Sequence, residues 1–130
     1  RQRQMCIRDS SGIVLTVGSI AGRQVYTGGA GYNAAKHAER ALVEVLRQEV
    51  AVDGVRVTEI DPGRVHTDFS LVRFDGDETK AAAVYDGVES LTADDVADII
   101  VFAATRPNRV NIDFLQVTPI DQVGGAKPKK

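Results

Sequence analysis

Three polar side chains in the 130-residue chain have the types and spacing for proton chemistry: Ser19, Tyr32 and Lys36. Tyr32 and Lys36 stand four residues apart at the start of a helical pattern, so their side chains lie on one face, a turn apart. Ser19 ends the apolar run Ile13-Val14-Leu15-Thr16-Val17. A free phenol, with a pKa of about 10, is a poor acid or base at neutral pH. An ammonium within a few ångströms favours the phenolate, which makes Tyr32 a general acid/base, with Ser19 holding the oxygen that gains or loses the proton. An isolated Tyr-x-x-x-Lys pair also has a plainer reading. In that one Tyr32 caps a core, Lys36 reaches solvent and Ser19 merely ends a strand.

A strand, a loop and a helix must hold these groups. Gly12 to Val17 is short, rich in β-branched residues and bounded by glycines, which predicts a strand buried on both faces. Residues Gly28 to Gly31 read as loop. From about Ala30 to Val50, apolar positions such as Ala34, Ala38, Ala41, Leu42, Val45 and Leu46 recur at three and four, the helix period. Asp53-Gly54 supplies a left-handed stop. Val55-Arg56-Val57-Thr58-Glu59-Ile60 then alternates as a second strand, ended by Asp61-Pro62-Gly63. Strand, helix and strand predict a right-handed βαβ unit with a parallel sheet. Ligands bind at the carboxyl ends of such strands, the edge on which both Ser19 and Pro62-Gly63 fall.

Between Arg64 and Leu91 the pattern loosens. Arg73-Phe74-Asp75-Gly76-Asp77 is loop-like, and Thr79 to Asp86 has room for one or two helical turns. An irregular stretch this long works as a lid or binding loop, or else is a plain surface excursion. Thr92-Ala93-Asp94-Asp95 opens a helix that runs through Val96, Ile99, Ile100, Ala103 and Ala104 until Pro107 stops it. A third strand is expected over Asn111 to Thr118. Within this frame Arg73 has the chemistry to meet a substrate carboxylate as a bidentate pair. His37 and His66 read as polar surface residues, and Phe69 and Phe74 as loop-packing anchors.

At 43 % hydrophobic content the chain makes at most one modest domain with a small core. A net charge of −2, with both signs interspersed, gives no footprint for nucleic acid or an anionic membrane. The single cysteine, Cys6, has no internal partner, no Cys/His cluster has metal-ligand spacing, and no apolar run approaches a membrane span. A reducing cytoplasm fits this composition. Residues 1–11, Arg1 to Ser11, have no period and resemble translated sequencing-adapter DNA at the end of a metagenomic contig, so a non-native or disordered head is expected. Residues 123–130 read as a flexible tail.

Ser19, twelve residues, Tyr32, three residues and Lys36 reproduce the S-x12-Y-x3-K signature, and Gly18-Ser19-Ile20-Ala21-Gly22 provides its strand exit. With the P-G-x-V-x-T-like segment Pro62-Gly63-Arg64-Val65-His66-Thr67, the stretch from about Gly12 to Gln122 resembles the C-terminal part of the short-chain dehydrogenase/reductase family. The resemblance implies an α/β fold, the C-terminal part of a Rossmann-like doubly wound parallel sheet, with the N-terminal half missing. It implies that Ser19 orients the substrate oxygen, Tyr32 transfers the proton, and Lys36 lowers the tyrosine pKa and hydrogen-bonds the nicotinamide ribose. It assigns Pro62, Gly63, Val65 and Thr67 to the cofactor, with the Val65 backbone and Thr67 hydroxyl meeting the nicotinamide carboxamide. Arg73 goes to the substrate.

The segments Val72-Arg73-Phe74-Asp75-Gly76-Asp77, Leu91-Thr92-Ala93-Asp94-Asp95-Val96 and Arg109-Val110-Asn111-Ile112-Asp113 resemble the NADP-dependent 3-hydroxy acid dehydrogenases, which also act on serine or reduce malonic semialdehyde. That implies NADP or NAD as cofactor, no metal, a small-molecule substrate, and a homodimer or homotetramer. The family's T-G-x-x-x-G-x-G turn, which binds pyrophosphate on backbone N–H groups, is not among these residues. Without that half the first strand exposes an unpaired apolar edge. The 130-residue chain by itself is therefore expected to fold poorly, to bind dinucleotide weakly and to be inactive. Monodisperse, cooperatively unfolding material with measurable NADP(H) affinity contradicts this expectation.

Overall fold

The computed structural model describes residues 12–122, so the expectations for the head and the tail lie outside the described residues. Three parallel strands form one sheet in the order β1-β2-β3: β1 is Gly12–Val17, β2 is Val55–Pro62 and β3 is Phe114–Val117. Helix α1, Ala30–Val50, crosses from β1 to β2 and ends through a single-turn 3-10 segment at Gly54, whose φ of 69° is the left-handed stop. The register pairs Gly12 with Val55 and Val17 with Ile60, which brings the carboxyl ends of β1 and β2 side by side. The α/β architecture is the one the alternating periods predict.

Side chains alternate across a strand, so β2 serves two helices. Val57, Glu59 and Asp61 turn to the α1 side, where the Arg47 guanidinium donates to the Val57 carbonyl at 3.1 Å. Ile60 turns the other way into a core with Val96 and Ala103 of α4, Ala93–Ala104, joined by Leu15, Ile99, Ile100 and Leu115. Arg56, on that same side, donates to the Ala104 carbonyl at 3.0 Å and places a cation at the negative end of α4. At its other end α4 opens with a capping box between Thr92 and Asp95. Thr58 also faces this core, and its buried hydroxyl oxygen has no partner among the described residues. An orphan of this kind costs about 1–3 kcal/mol.

Several boundaries differ from the sequence reading. β1 is not buried on both faces: Val14 is 37 % and Val17 49 % exposed, and among the described residues the strand is paired along one side only. β2 continues through Asp61 to Pro62, since proline at a strand end forfeits no needed donor. β3 begins at Phe114 and not at Asn111, because the Asn111 side chain, and not a strand backbone, pairs with Val57, accepting its N–H at 2.9 Å. The 64–91 stretch is more ordered than its pattern suggests. It holds α2, Phe69–Arg73, and α3, Glu78–Ala83, and a parallel bridge between Val65 and Leu91 closes its base. No helix among the described residues is long and apolar enough to cross a membrane.

Candidate active site

At the carboxyl edge of the sheet the β1–β2 ladder continues with Gly18, whose N–H donates to the Ile60 carbonyl at 2.7 Å. The next amide, that of Ser19, donates instead to Asp61 Oδ1 at 3.2 Å. From there the chain turns into a short 3-10 segment, Ile20–Gly22, which Ser19 caps: its Oγ accepts from the Ala21 N–H at 3.1 Å. That bond occupies one lone pair and leaves the hydroxyl proton free to donate.

Tyr32 projects from the first turn of α1, with its ring tilted against Phe69 at 5.9 Å between centroids. The Arg73 guanidinium stands 5.8 Å from the Tyr32 ring and donates to the Tyr26 hydroxyl at 3.2 Å. Among the described residues the Tyr32 hydroxyl makes no hydrogen bond. Two adjoining cavities lie against these groups. One, of about 240 Å³, is lined by Ser19, Tyr26, Tyr32, Gly63, Val65 and Arg73. The other, of about 330 Å³, is lined by Ser19, Tyr32, Pro62, Gly63, Val65 and Thr67, and Phe69 borders both.

The structure thus gathers Ser19, Tyr32, Pro62, Gly63, Val65, Thr67 and Arg73 on one cleft. Lys36 lines neither cavity, and its ammonium pairs with Glu39 Oε2 at 2.7 Å, one turn along the same helix. Phe69 is more than the packing anchor expected from sequence, since its half-exposed ring forms a wall of the cleft facing Tyr32.

The far wall is fixed by side chains that sequence reasoning passed over. Tyr85 Oη lies 3.3 Å from the Val65 carbonyl, 3.2 Å from the Thr67 carbonyl and 2.8 Å from Ser70 Oγ, tying the 65–70 stretch to the segment after α3. The Val65 N–H itself has no partner among the described residues. The Arg64 guanidinium binds Ser90 Oγ, the Glu89 carbonyl and Asp121, while the Arg64 N–H donates to Gln122 Oε1 at 2.7 Å. A Cβ on Gly63 would collide with the same Gln122 oxygen, so glycine permits this close approach.

A family model described as short chain dehydrogenase matches residues 2–78. The chain belongs to the short-chain dehydrogenase family. It is 53 % identical over 121 residues to an uncharacterised oxidoreductase of Mycobacterium tuberculosis, covering 93 % of this chain and 48 % of that protein. It is 46 % identical over 117 residues to an NADP-dependent 3-hydroxy acid dehydrogenase of Schizosaccharomyces pombe, covering 90 % and 45 %. Among solved structures, the closed form of a serine dehydrogenase complexed with NADP+ superimposes with a TM-score of 0.88 at 37 % identity, covering 93 % of this chain and 49 % of that one. The chain spans about half the length of the curated relatives it matches.

Two further clusters in this chain have no sequence signal of their own. Asn33 is buried one residue past Tyr32; its Nδ2 donates to the carbonyls of Ala21 and Gln24, both at 3.0 Å, and stitches the loop after Ser19 onto α1. The only hint is its type, because asparagine bonds readily to nearby backbone. The second cluster is ionic. Glu59 and Asp61, 2 % and 1 % exposed, both receive the Arg23 guanidinium. An alternating strand gives no reason to place acids inside, and only the structure supplies the arginine that permits it.

Burial is the largest influence on Glu59 and raises its pKa, the neighbouring Asp61 charge raises it further, and Arg23 and Arg40 act against both. A folded value above the unfolded one means that protonated Glu59 adds stability at low pH, which is lost as pH rises through the folded value. Glu59→Gln is therefore expected to flatten this part of the profile in denaturant melts run upward in pH from the ordinary carboxylate range. Parallel profiles for the two proteins would contradict the assignment.

Proposed function

We propose that this chain supplies the catalytic half of a nicotinamide-dependent oxidoreductase that interconverts a small 3-hydroxy acid and its carbonyl partner. The observation that carries the reading is the shared cleft: a free serine hydroxyl proton and an unpaired tyrosine hydroxyl flank the same two cavities at the carboxyl edge of a parallel sheet. Family membership and the NADP named for two of the relatives support a nicotinamide cofactor, with NADP favoured over NAD.

The larger cavity suits a flat ring bearing a carboxamide. Its walls include Val17, Pro62, Phe69, Ala93 and Val96, and its polar edge holds Thr67 and the unpaired Val65 N–H. Pro62, Gly63, Val65 and Thr67 would hold the nicotinamide end there. When bound, the cofactor supplies the hydride acceptor or donor. The chain's own residues handle the proton. Ser19 Oγ donates a hydrogen bond to the substrate oxygen and meets the charge developing on it, while Tyr32 takes or returns the hydroxyl proton. Lys36 favours the phenolate once its ammonium leaves Glu39 for Tyr32 and the ribose. Arg73 lines the smaller cavity beside Tyr32, where its guanidinium suits the carboxylate of the substrate.

A second reading has its own support. Leu42 and Val45 on α1 are 66 % and 53 % exposed, which suits a non-catalytic fragment that serves as an oligomerisation partner pairing through this helix. The two readings part on a single substitution. In the protein completed by the family's N-terminal half, Tyr32→Phe is expected to lower turnover by about a hundredfold or more while leaving NADP(H) affinity nearly unchanged. Equal loss of turnover and cofactor affinity counts against the assigned role, and a completed wild-type protein without turnover favours the fragment.

A further inference from the structure

Ser19 reaches the cleft from a backbone that has just left the sheet, so something beyond the ladder must hold it. The last backbone rung is Gly18 to Ile60; one residue on, a side-chain carboxylate takes the place of a strand carbonyl, with Asp61 Oδ1 accepting the Ser19 N–H at 3.2 Å. The other oxygen of that carboxylate, Oδ2, receives Arg23 Nε, and Arg23 Nη2 reaches Glu59 Oε2 at 2.9 Å. The guanidinium carbon stands 3.8 Å from the centre of the Phe114 ring, so β3 covers it from behind. A Cβ on Gly18 would strike both carboxylates, which shows how tightly the acids pack beneath the serine.

Asp61 also connects to the cleft through its own chain. Its side chain holds the Ser19 amide, and its backbone leads directly into Pro62 and Gly63, which line the larger cavity together with Ser19. We propose that Arg23 is a positioning residue for Ser19, acting through Asp61, and that this pair sets the spacing between the serine and the Pro62–Gly63 edge beside it. The proposal rests on the catalytic reading of Ser19. It goes beyond that reading in assigning a role to a side chain that lines neither cavity.

Without the guanidinium, two buried carboxylates sit on neighbouring same-side positions of β2 with nothing to hold Asp61 Oδ2, and the Asp61 side chain is free to swing. That movement weakens the charge-assisted bond to the Ser19 amide and lets the hydroxyl drift. Small misplacements of this kind act on the chemical step more than on cofactor binding.

The test uses the full-length protein with Arg23→Met and Arg23→Lys, the Ser19 amide followed by 1H–15N NMR, and steady-state kinetics at saturating cofactor. In Arg23→Met the Ser19 amide proton is expected to move upfield as its hydrogen bond weakens, and kcat to fall about tenfold or more with the cofactor KM little changed. Arg23→Lys keeps the charge but cannot bridge both acids with two nitrogens, so its amide shift and kcat are expected between the two. An unmoved Ser19 amide in a folded Arg23→Met protein overturns the proposal, as does a rise in cofactor KM matching the fall in kcat. Should Arg23→Met fail to fold, Arg23→Lys decides alone: a shifted Ser19 amide supports the proposal and an unshifted one overturns it. Should the wild-type protein transfer no hydride, the catalytic reading fails while the amide result still decides the positioning.

Discussion

Two carboxylates on one strand, Glu59 and Asp61, are almost completely buried, and a single arginine makes that tolerable. Removing one partner from a buried ionic cluster costs about 3–5 kcal/mol, because the remaining charge stays uncompensated. Surface pairs are a different matter. Arg40 with Glu44, about a third and a half exposed, contributes only about 0–1 kcal/mol. The folded arrangement of the sheet edge therefore depends far more on Arg23 than on the more numerous ion pairs outside. Since Asp61 also holds the Ser19 amide, stability and the geometry of the cleft share one interaction.

The helix that carries Tyr32 is brought to this edge by close backbone approach as well as by apolar packing. A Cβ at Gly22 would sit 2.8 Å from the Lys36 carbonyl oxygen, so glycine lets the loop after Ser19 lie against α1. Asn33 fixes the same contact with two hydrogen bonds. Tyr32, one residue before it, inherits its position from a neighbour that performs no chemistry. On the 63–67 side Tyr85 and Gln122 do the equivalent work, Tyr85 for the Val65 carbonyl and Gln122 for the Arg64 N–H next to Gly63. A rigid cleft results from polar side chains that bind backbone, with apolar residues mainly filling the space behind them.

Regular features were legible from the sequence because their signals are local. The β-branched run of β1, the three-and-four period of α1, the Asp53-Gly54 stop and the Thr92 cap each depend on neighbours along the chain. Ser19, Tyr32 and the Pro62–Thr67 segment were picked out by their likeness to a family signature, and the fold brings them to one cleft. What escaped was long-range. Arg23 meets Asp61 thirty-eight residues away, Asn111 replaces a backbone partner of Val57 fifty-four residues away, and Arg64 reaches Asp121 across fifty-seven. The flank of β1 that has no partner among the described residues is another such case, since an apolar strand pattern does not state how many neighbours the strand has. Lys36 shows the remaining limit: four residues from Tyr32 put it on the right face, yet a glutamate three residues further on competes for its ammonium.

The central claim is that Ser19 and Tyr32 grip one substrate oxygen while the Pro62–Thr67 wall holds the nicotinamide. A crystal structure of the full-length protein with NADP+ and a 3-hydroxy acid tests it most directly. The account predicts the substrate hydroxyl within hydrogen-bond reach of both Ser19 Oγ and Tyr32 Oη, and the carboxamide against the Val65 N–H and Thr67. A substrate oxygen that contacts neither hydroxyl, or a nicotinamide bound away from that wall, would contradict it.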